Sequence, residues 1–366
     1  MLIRAGSLGT MSDADLTVAD LLPPALAARL DALDIRSRRV FAGKLQGERR
    51  SKRRGRSVEF DDFRPYVAGD DLRHIDWNVY ARLDRFFLKL FQEEEDLTVH
   101  VTLDASASML AGSGGVTKLL AAARLAMAAA YVSLANNNRV VMSAIGLPEG
   151  GEPVAGVVPA PESGLVGLEP LRGRSSTHRV GSYLLAVVRA AAGAPLGEGR
   201  VTSFSAGLRA IASSRTGRGV MVVISDLLIP PAPPSGQGEK EEPGYAAGLR
   251  YIAAGEGLFE PFVFQVLAPG ELDPAAESPL GGEGPPGGRR SPVWGDLRLL
   301  DAETGASREV TVTGELLRRY RAAAARYVAS AAAWCRARGI EHALMTSDQA
   351  PETAVVDAMR KAGLLA

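Results

Sequence analysis

The spacing of apolar positions divides the chain into two regimes. From residue 97 onward, short β-rich runs alternate with longer helical ones. Leu97 to Leu103 reads as a strand ending at Asp104, and an alanine-rich apolar helix follows over 119–135. Arg139 to Gly146 and Val154 to Val158 read as further strands, and 181–193 and 203–214 as helices. Gly219 to Ser225 is a continuous apolar run that ends in Asp226. Such runs suit interior strands of a parallel sheet covered on both faces. A helix over 245–254, a strand over Phe259 to Leu267 and a hairpin of Trp294 to Leu300 with Arg308 to Val312 come next. In the helix predicted over 314–338, Leu317, Tyr320, Ala324, Tyr327, Ala331 and Trp334 fall on one face, and Gly339 caps it. A strand over His342 to Thr346 and a helix over 351–362 complete the pattern. The alternation predicts a doubly wound, mostly parallel α/β domain of Rossmann type over 97–366, with an inserted loop and hairpin at 268–312.

The first 96 residues read differently. Residues 1–35 are expected to be an N-terminal tail with one short helix, opened by Pro23 and Pro24, in which Leu26, Leu30 and Leu33 share a face. Residues 36–96 begin with a basic segment, Arg49-Arg50-Ser51-Lys52-Arg53-Arg54-Gly55-Arg56, and continue with turns and aromatics. They predict a small β-rich subdomain with a strand over Arg85 to Phe91. Two stretches rich in Pro and Gly, 230–244 and 269–292, read as mobile loops.

Composition narrows the functional classes. Of 366 residues, 42 are Lys or Arg and 42 are Asp or Glu, so the formal net charge is zero. That balance argues against coating nucleic acid by bulk charge. The single cysteine, Cys335, excludes an internal disulfide framework and a cysteine-cluster metal site. Arg124 interrupts the helix at 119–135, which reads as a buried core helix rather than a membrane span. The N-terminus lacks the basic start and apolar run of a signal peptide, and Met11 serves as well as Met1 for a start. The expected location is the cytoplasm.

The chemistry concentrates where two strands end in aspartate. In doubly wound sheets, ligands bind beyond the carboxyl ends of the strands. Asp104-Ala105-Ser106-Ala107-Ser108 places a carboxylate and two hydroxyls two residues apart. Asp226 offers a second carboxylate, and Thr202, at a helix start, a third hydroxyl. These hard oxygen donors suit Mg²⁺ or Mn²⁺, and two acids with few local bases leave a negative pocket for a divalent cation to neutralise. The competing role for Asp104 and Ser106 is to cap the following helix.

This string, with a downstream threonine and a strand-end aspartate, resembles the metal-ion-dependent adhesion site of von Willebrand factor type A domains, over residues 97–366. Upstream, Arg53-Arg54-Gly55, Glu59-Phe60, Arg64, Tyr66, Gly69-Asp70-Asp71, Arg73 and Ile75-Asp76-Trp77 resemble the bacterial domain-of-unknown-function family numbered fifty-eight. The resemblance implies that Asp104, Ser106, Ser108, Thr202 and Asp226 hold Mg²⁺ directly or through water. One coordination position would stay open for a Glu or Asp of a protein partner. Proteins that look like this are linked with MoxR-type AAA+ ATPases and with chaperoning, assembly or activation of client complexes. Two positions depart from the adhesion-site pattern. The threonine loop reads Gly199-Arg200-Val201-Thr202 rather than Gly-Gly-Thr, and Leu227 follows the strand-end acid where such domains carry glycine.

Other signals are weaker. The run at 49–56 could bind nucleic acid or anionic lipid, but the acidic Glu93-Glu94-Glu95-Asp96 can neutralise it. Asp70, Asp71 and Asp76 read as turn caps, and Phe63, Tyr66 and Trp77 as core. Gly112 to Lys118 lacks the Gly-Lys-Ser/Thr ending of a phosphate-binding loop and reads as a mobile loop before the helix. His74, His100, His178 and His342 show no paired ligand spacing, and Cys335 reads as a packed thiol. The leading expectation is a non-enzymatic, Mg²⁺-dependent protein-interaction module. The alternatives are a metal-dependent phosphoester hydrolase and a binder of anionic surfaces through residues 49–56.

Overall fold

The computed structural model describes residues 2–4, 16–36, 60–67, 72, 75–91, 97–113, 116–147, 157–160, 165–193, 204–215, 218–231, 242–254, 259–275, 295–301 and 305–365. The chain divides into one unit of residues 1–43 with 97–366 and a second of residues 44–96. The second unit thus starts eight residues after the sequence-based boundary at 36.

The larger unit is built on a mixed, mostly parallel sheet. Its strands are β1 (Thr98–Asp104), β2 (Arg139–Ile145), β3 (Val157–Ala160), β4 (Leu165–Leu168), β5 (Leu171–Arg172), β6 (Gly219–Ser225), β7 (Phe259–Leu267) and β8 (Glu341–Thr346). Their order is β8-β7-β6-β1-β2-β4-β3, with β5 beside β2. The five strands from β8 to β2 are parallel, whereas β3, β4 and β5 pair antiparallel. The chain runs from β1 outward to β2, then returns to β6 on the other side of β1 and proceeds to β7 and β8. The topological switch point therefore lies between β1 and β6, where open α/β sheets bind ligands beyond their carboxyl ends.

Helices cover both faces. Besides the short helices Val18–Leu21 and Pro24–Leu30, they are α1 (Lys118–Ala135), α2 (Thr177–Ala192), α3 (Phe204–Ser214), α4 (Ala246–Ala253), the short α5 (Pro269–Leu272), α6 (Gly314–Arg336) and α7 (Pro351–Lys361). One core joins Val99, Val101 and Leu103 of β1 to residues of α1, α2 and α7. The other joins Met221 and Val223 of β6 to Phe204, Leu208 and Ile211 of α3, to α4, and to Ala331 and Cys335 of α6. Both faces being apolar explains why β6 reads as an unbroken hydrophobic run rather than an alternating one. Helix α1 is long and apolar enough to cross a membrane by length and composition, yet 89% of its residues are buried inside the protein. It is the core helix the sequence suggested.

Three expectations need correction. Residues 1–35 are not merely a tail, because Leu16, Leu21, Leu26, Leu30 and Ile35 are buried in the main core. Arg36 N also donates to Leu364 O at 2.7 Å. The stretch 269–292 is not loop from its start, since α5 occupies Pro269–Leu272. The face of α6 is only partly packed: Leu317 and Ala331 are buried, but Tyr320 is exposed. The predicted hairpin is present as strands Gly295–Asp301 and Ser307–Val312, with Leu2–Arg4 paired along its edge.

In the smaller unit, strands Phe60–Pro65 and Phe87–Phe91 pair antiparallel. Between them lies a helix, Trp77–Leu83, that the sequence reading missed. Asp76 caps it, with Oδ1 accepting from Asn78 N at 2.8 Å and Val79 N at 3.2 Å. Tyr80 stacks on Phe86 at 4.4 Å, and Trp77 meets Phe86 edge-on at 6.3 Å. Trp77 is exposed rather than core. Asp70, Asp71 and residues 49–56 lie outside the described residues, as does the side chain of Phe63.

Candidate metal centre at the carboxyl edge of the sheet

Strand β1 alternates between the two cores, so His100, Thr102 and Asp104 share one face. Asp104 ends the strand at the switch point, and the chain then turns away. Ala105 N donates to Ile145 O at 2.7 Å, fixing the turn to the end of β2. Gly146 makes room for it. Its φ is +88°, and a Cβ there would lie 2.5 Å from Ser106 N. The loop closes in a 3-10 turn, Ala107–Leu110, that buries Ser108.

The loop brings three of the expected donors together. Asp104 Oδ1 accepts from Ser106 N at 3.0 Å, and the Oγ atoms of Ser106 and Ser108 lie 3.2 Å apart. Asp104 Oδ2 accepts from Ser225 Oγ at 2.6 Å, a tie between neighbouring strand ends. Burial and the nearby Asp226 charge push the Asp104 carboxyl up to about 6, while the hydrogen bonds from Ser225 and Ser106 pull it back. Burial and a like charge both disfavour the ionised carboxylate.

Asp226 follows β6 and is buried on the other side of the switch point. Its Oδ1 accepts from Leu228 N at 2.9 Å, and its Oδ2 lies 2.6 Å from Lys118 Nζ. The same ammonium lies 2.6 Å from Glu271 Oε1. Lys118 is fully buried, and Glu271 nearly so. The expectation of two acids with few local bases is therefore incomplete: a third acid and one lysine belong to the cluster. Burial works against the ammonium, but Asp226 and Glu271 outweigh it and hold Lys118 above its usual pKa. Glu271 is raised by burial and by Asp226, against the pull of Lys118, and its Oε2 accepts from Ala268 N at 2.9 Å.

The departure at Leu227 has a conformational expression. Its φ is +58°, in the left-handed region that favours glycine. Leucine holds it because its side chain is fully buried and both backbone groups are engaged. Leu227 N donates to Ser225 Oγ at 3.0 Å, and Leu227 O accepts from the Tyr327 hydroxyl. Gln265 Nε2 donates to Asp226 O at 3.0 Å, steadying the next residue back.

The donor set can be tested against a divalent ion. Adjacent oxygens of a Mg²⁺ octahedron lie about 2.9 Å apart, given Mg–O distances of ~2.0–2.1 Å. The Ser106–Ser108 separation of 3.2 Å is close to such an edge. Each Asp104 oxygen has one donor drawn above, and a carboxylate oxygen can accept more than one interaction. The Asp104 side of the cluster fits a hard cation. On the Asp226 side an ion would have to share the carboxylate with Lys118. Among the described residues, no group of three or more His, Cys, Asp or Glu has the arrangement of a self-contained metal cluster. Thr202, the fifth expected ligand, lies outside the described residues.

Sequence reasoning missed Lys118, Glu271, Ser225 and Gly146. The sequence pattern puts Lys118 at the end of a mobile loop and Glu271 in a mobile linker. The only local signal is a lysine directly before a predicted, largely apolar helix whose only charge is Arg124.

Comparison with known proteins agrees with the upstream resemblance. Uncharacterised proteins of Mycobacterium tuberculosis and Mycobacterium bovis are 25% identical over 320 residues, covering 87% of this chain and 84% of theirs. Among solved structures, an aerotolerance-related membrane protein from Bacteroides fragilis matches 73% of this chain and 98% of its own, at 17% identity and a TM-score of 0.35. The pilus adhesin SpaC from Lactobacillus rhamnosus GG matches 74% of this chain and 28% of its own, at 11% identity and a TM-score of 0.25. The Bacteroides neighbour is named as a membrane protein, and the cytoplasmic location expected from the sequence is withdrawn on that finding. The family model described as protein of unknown function DUF58 matches residues 62–254, more than half of the chain, and the chain belongs to that family.

Proposed function

We propose that this protein is a divalent-cation-dependent protein-interaction module built on a von Willebrand factor A-like domain. Asp104, Ser106 and Ser108 would take Mg²⁺ or Mn²⁺, with Asp226 and Thr202 completing the set directly or through water. An acidic side chain of a protein partner would fill the open position, making the ion a bridge between two proteins. The partner proposed is a MoxR-type AAA+ ATPase, on the resemblance set out above, in the chaperoning, assembly or activation of a client.

The observation that supports this reading most is the convergence at the switch point. A carboxylate raised by burial and by the neighbouring Asp226 stands beside two hydroxyls 3.2 Å apart, at the edge where such sheets bind ligands. The reading assigns the module no catalytic residue.

The test is capture of partners by the full chain in Mg²⁺, in EDTA and as Asp104→Ala. The reading expects an AAA+ ATPase to be retained by the wild type in Mg²⁺ and released by either change. Retention of the same partner in all three conditions would contradict it.

A further inference from the structure

Lys118 is the first residue of α1, where the positive end of the helix dipole disfavours a cation. Capping does not account for it, because Thr117 already caps the helix by accepting from Leu120 N at 3.1 Å. The lysine is instead aimed into the acid cluster and sealed there, 2.6 Å from both Asp226 and Glu271. Its backbone is bound to the ligand loop, since Lys118 N donates to Ala111 O at 2.8 Å just beyond the turn carrying Ser108. A cation entering at Asp104, Ser106 and Ser108 therefore meets an ammonium that already holds the second aspartate.

The charges define what is missing. Asp104, Asp226 and Glu271 supply three carboxylates and Lys118 one ammonium. With all three ionised, two negative charges remain, the charge that one divalent ion cancels. Glu271 gives the lysine a second place to rest. It is anchored by Ala268 N and can keep the ammonium paired if an ion takes Asp226.

We propose that Lys118 is the resident cation of this site, and that a divalent ion must compete with its ammonium for Asp226. The lysine thereby sets how tightly the site takes metal. With Lys118 in place the ion is held weakly, and a partner's carboxylate adds the negative charge that retains it. This rests on the cation-site reading above and adds its regulation.

The test is Mn²⁺ titration of the full chain, followed by electron paramagnetic resonance of the free ion. Lys118→Met removes the competing charge and is expected to bind Mn²⁺ at least about tenfold more tightly than wild type. The double variant Lys118→Met with Glu271→Gln keeps the net charge of the cluster and frees Asp226, so it is expected to bind more tightly as well. Glu271→Gln alone turns the ammonium wholly onto Asp226 and is expected to bind more weakly. If neither lysine variant folds, that third variant decides: weaker binding supports the proposal and unchanged binding overturns it. Mn²⁺ bound more tightly by both lysine variants than by wild type supports it. Mn²⁺ lost in Asp104→Ala yet indifferent to the Lys118 and Glu271 variants overturns it and leaves the cation site standing. No Mn²⁺ bound by any form overturns both.

Discussion

The Lys118 ammonium lies 2.6 Å from Asp226 Oδ2, joining the first residue of α1 to the acid at the end of β6 across 108 positions of sequence. Both side chains are out of water. Breaking such a pair from one side leaves a bare buried charge, which costs about 3–5 kcal/mol. Lys118→Met should therefore lose stability of that order in denaturant unfolding without metal. Glu271→Gln should lose less, because the ammonium keeps Asp226. Equal losses in the two variants would show that the lysine does not depend on Asp226.

Ser225 ties β6 to β1 by donating to Asp104 Oδ2 at 2.6 Å, and it also accepts from Leu227 N. Ser225→Ala leaves two buried groups short of a partner and should cost about 1–3 kcal/mol for each group left unsatisfied. Since that hydrogen bond lowers the Asp104 pKa, its removal should move the carboxyl further above about 6. Carboxyl carbon shifts followed by NMR through a pH series would report the change. A fall in that pKa would contradict the arrangement.

Gly146 has a positive φ and no space for a side chain. Gly146→Ala should cost at least about 1–3 kcal/mol and push the loop at Ser106 outward. Thermal unfolding checks the first effect, and amide shifts of Ala105 and Ser106 the second. Wild-type stability with unmoved amides would mean that the loop is not braced against Gly146.

His100 offers a pH test away from the acid cluster. Burial, then Arg215 and Arg139, hold it down to about 4, against an ordinary value of 6.5. Among the described residues, neither ring nitrogen has a hydrogen-bond partner. The unfolded chain takes up this proton below pH 6.5, whereas the folded protein does so only near pH 4. Stability is thus complete above 6.5 and falls as pH drops from 6.5 towards 4, by up to roughly 3 kcal/mol. The difference between wild type and His100→Leu isolates this contribution from that of Asp104, which has the opposite sign. Parallel pH profiles for the two proteins would contradict it.

The parallel sheet was legible because β6 at its centre is apolar on both faces, and the candidate site because Asp104 ends β1 and Asp226 follows β6. Periodicity reports which face an element buries, so α1, α2, α7 and β6 to β8 could be read closely. It does not report which distant charge a buried lysine will meet. Lys118 and Glu271 are 153 positions apart and are brought together only by the sheet order. Trp77–Leu83 was missed for a different reason. Its start reads as a turn, and its cap, Asp76, is recognisable only once the helix is seen. The buried role of Leu21, Leu26 and Leu30 was hidden because a short helix does not reveal the surface it will cover.

The account turns on whether the Asp104 loop takes a divalent ion. The most direct measurement is Mn²⁺ binding to the purified full chain by electron paramagnetic resonance, comparing wild type with Asp104→Ala. The account predicts saturable binding of one ion per chain to wild type, competed by Mg²⁺ and lost in Asp104→Ala. No saturable binding to wild type, or equal binding in the variant, would contradict it.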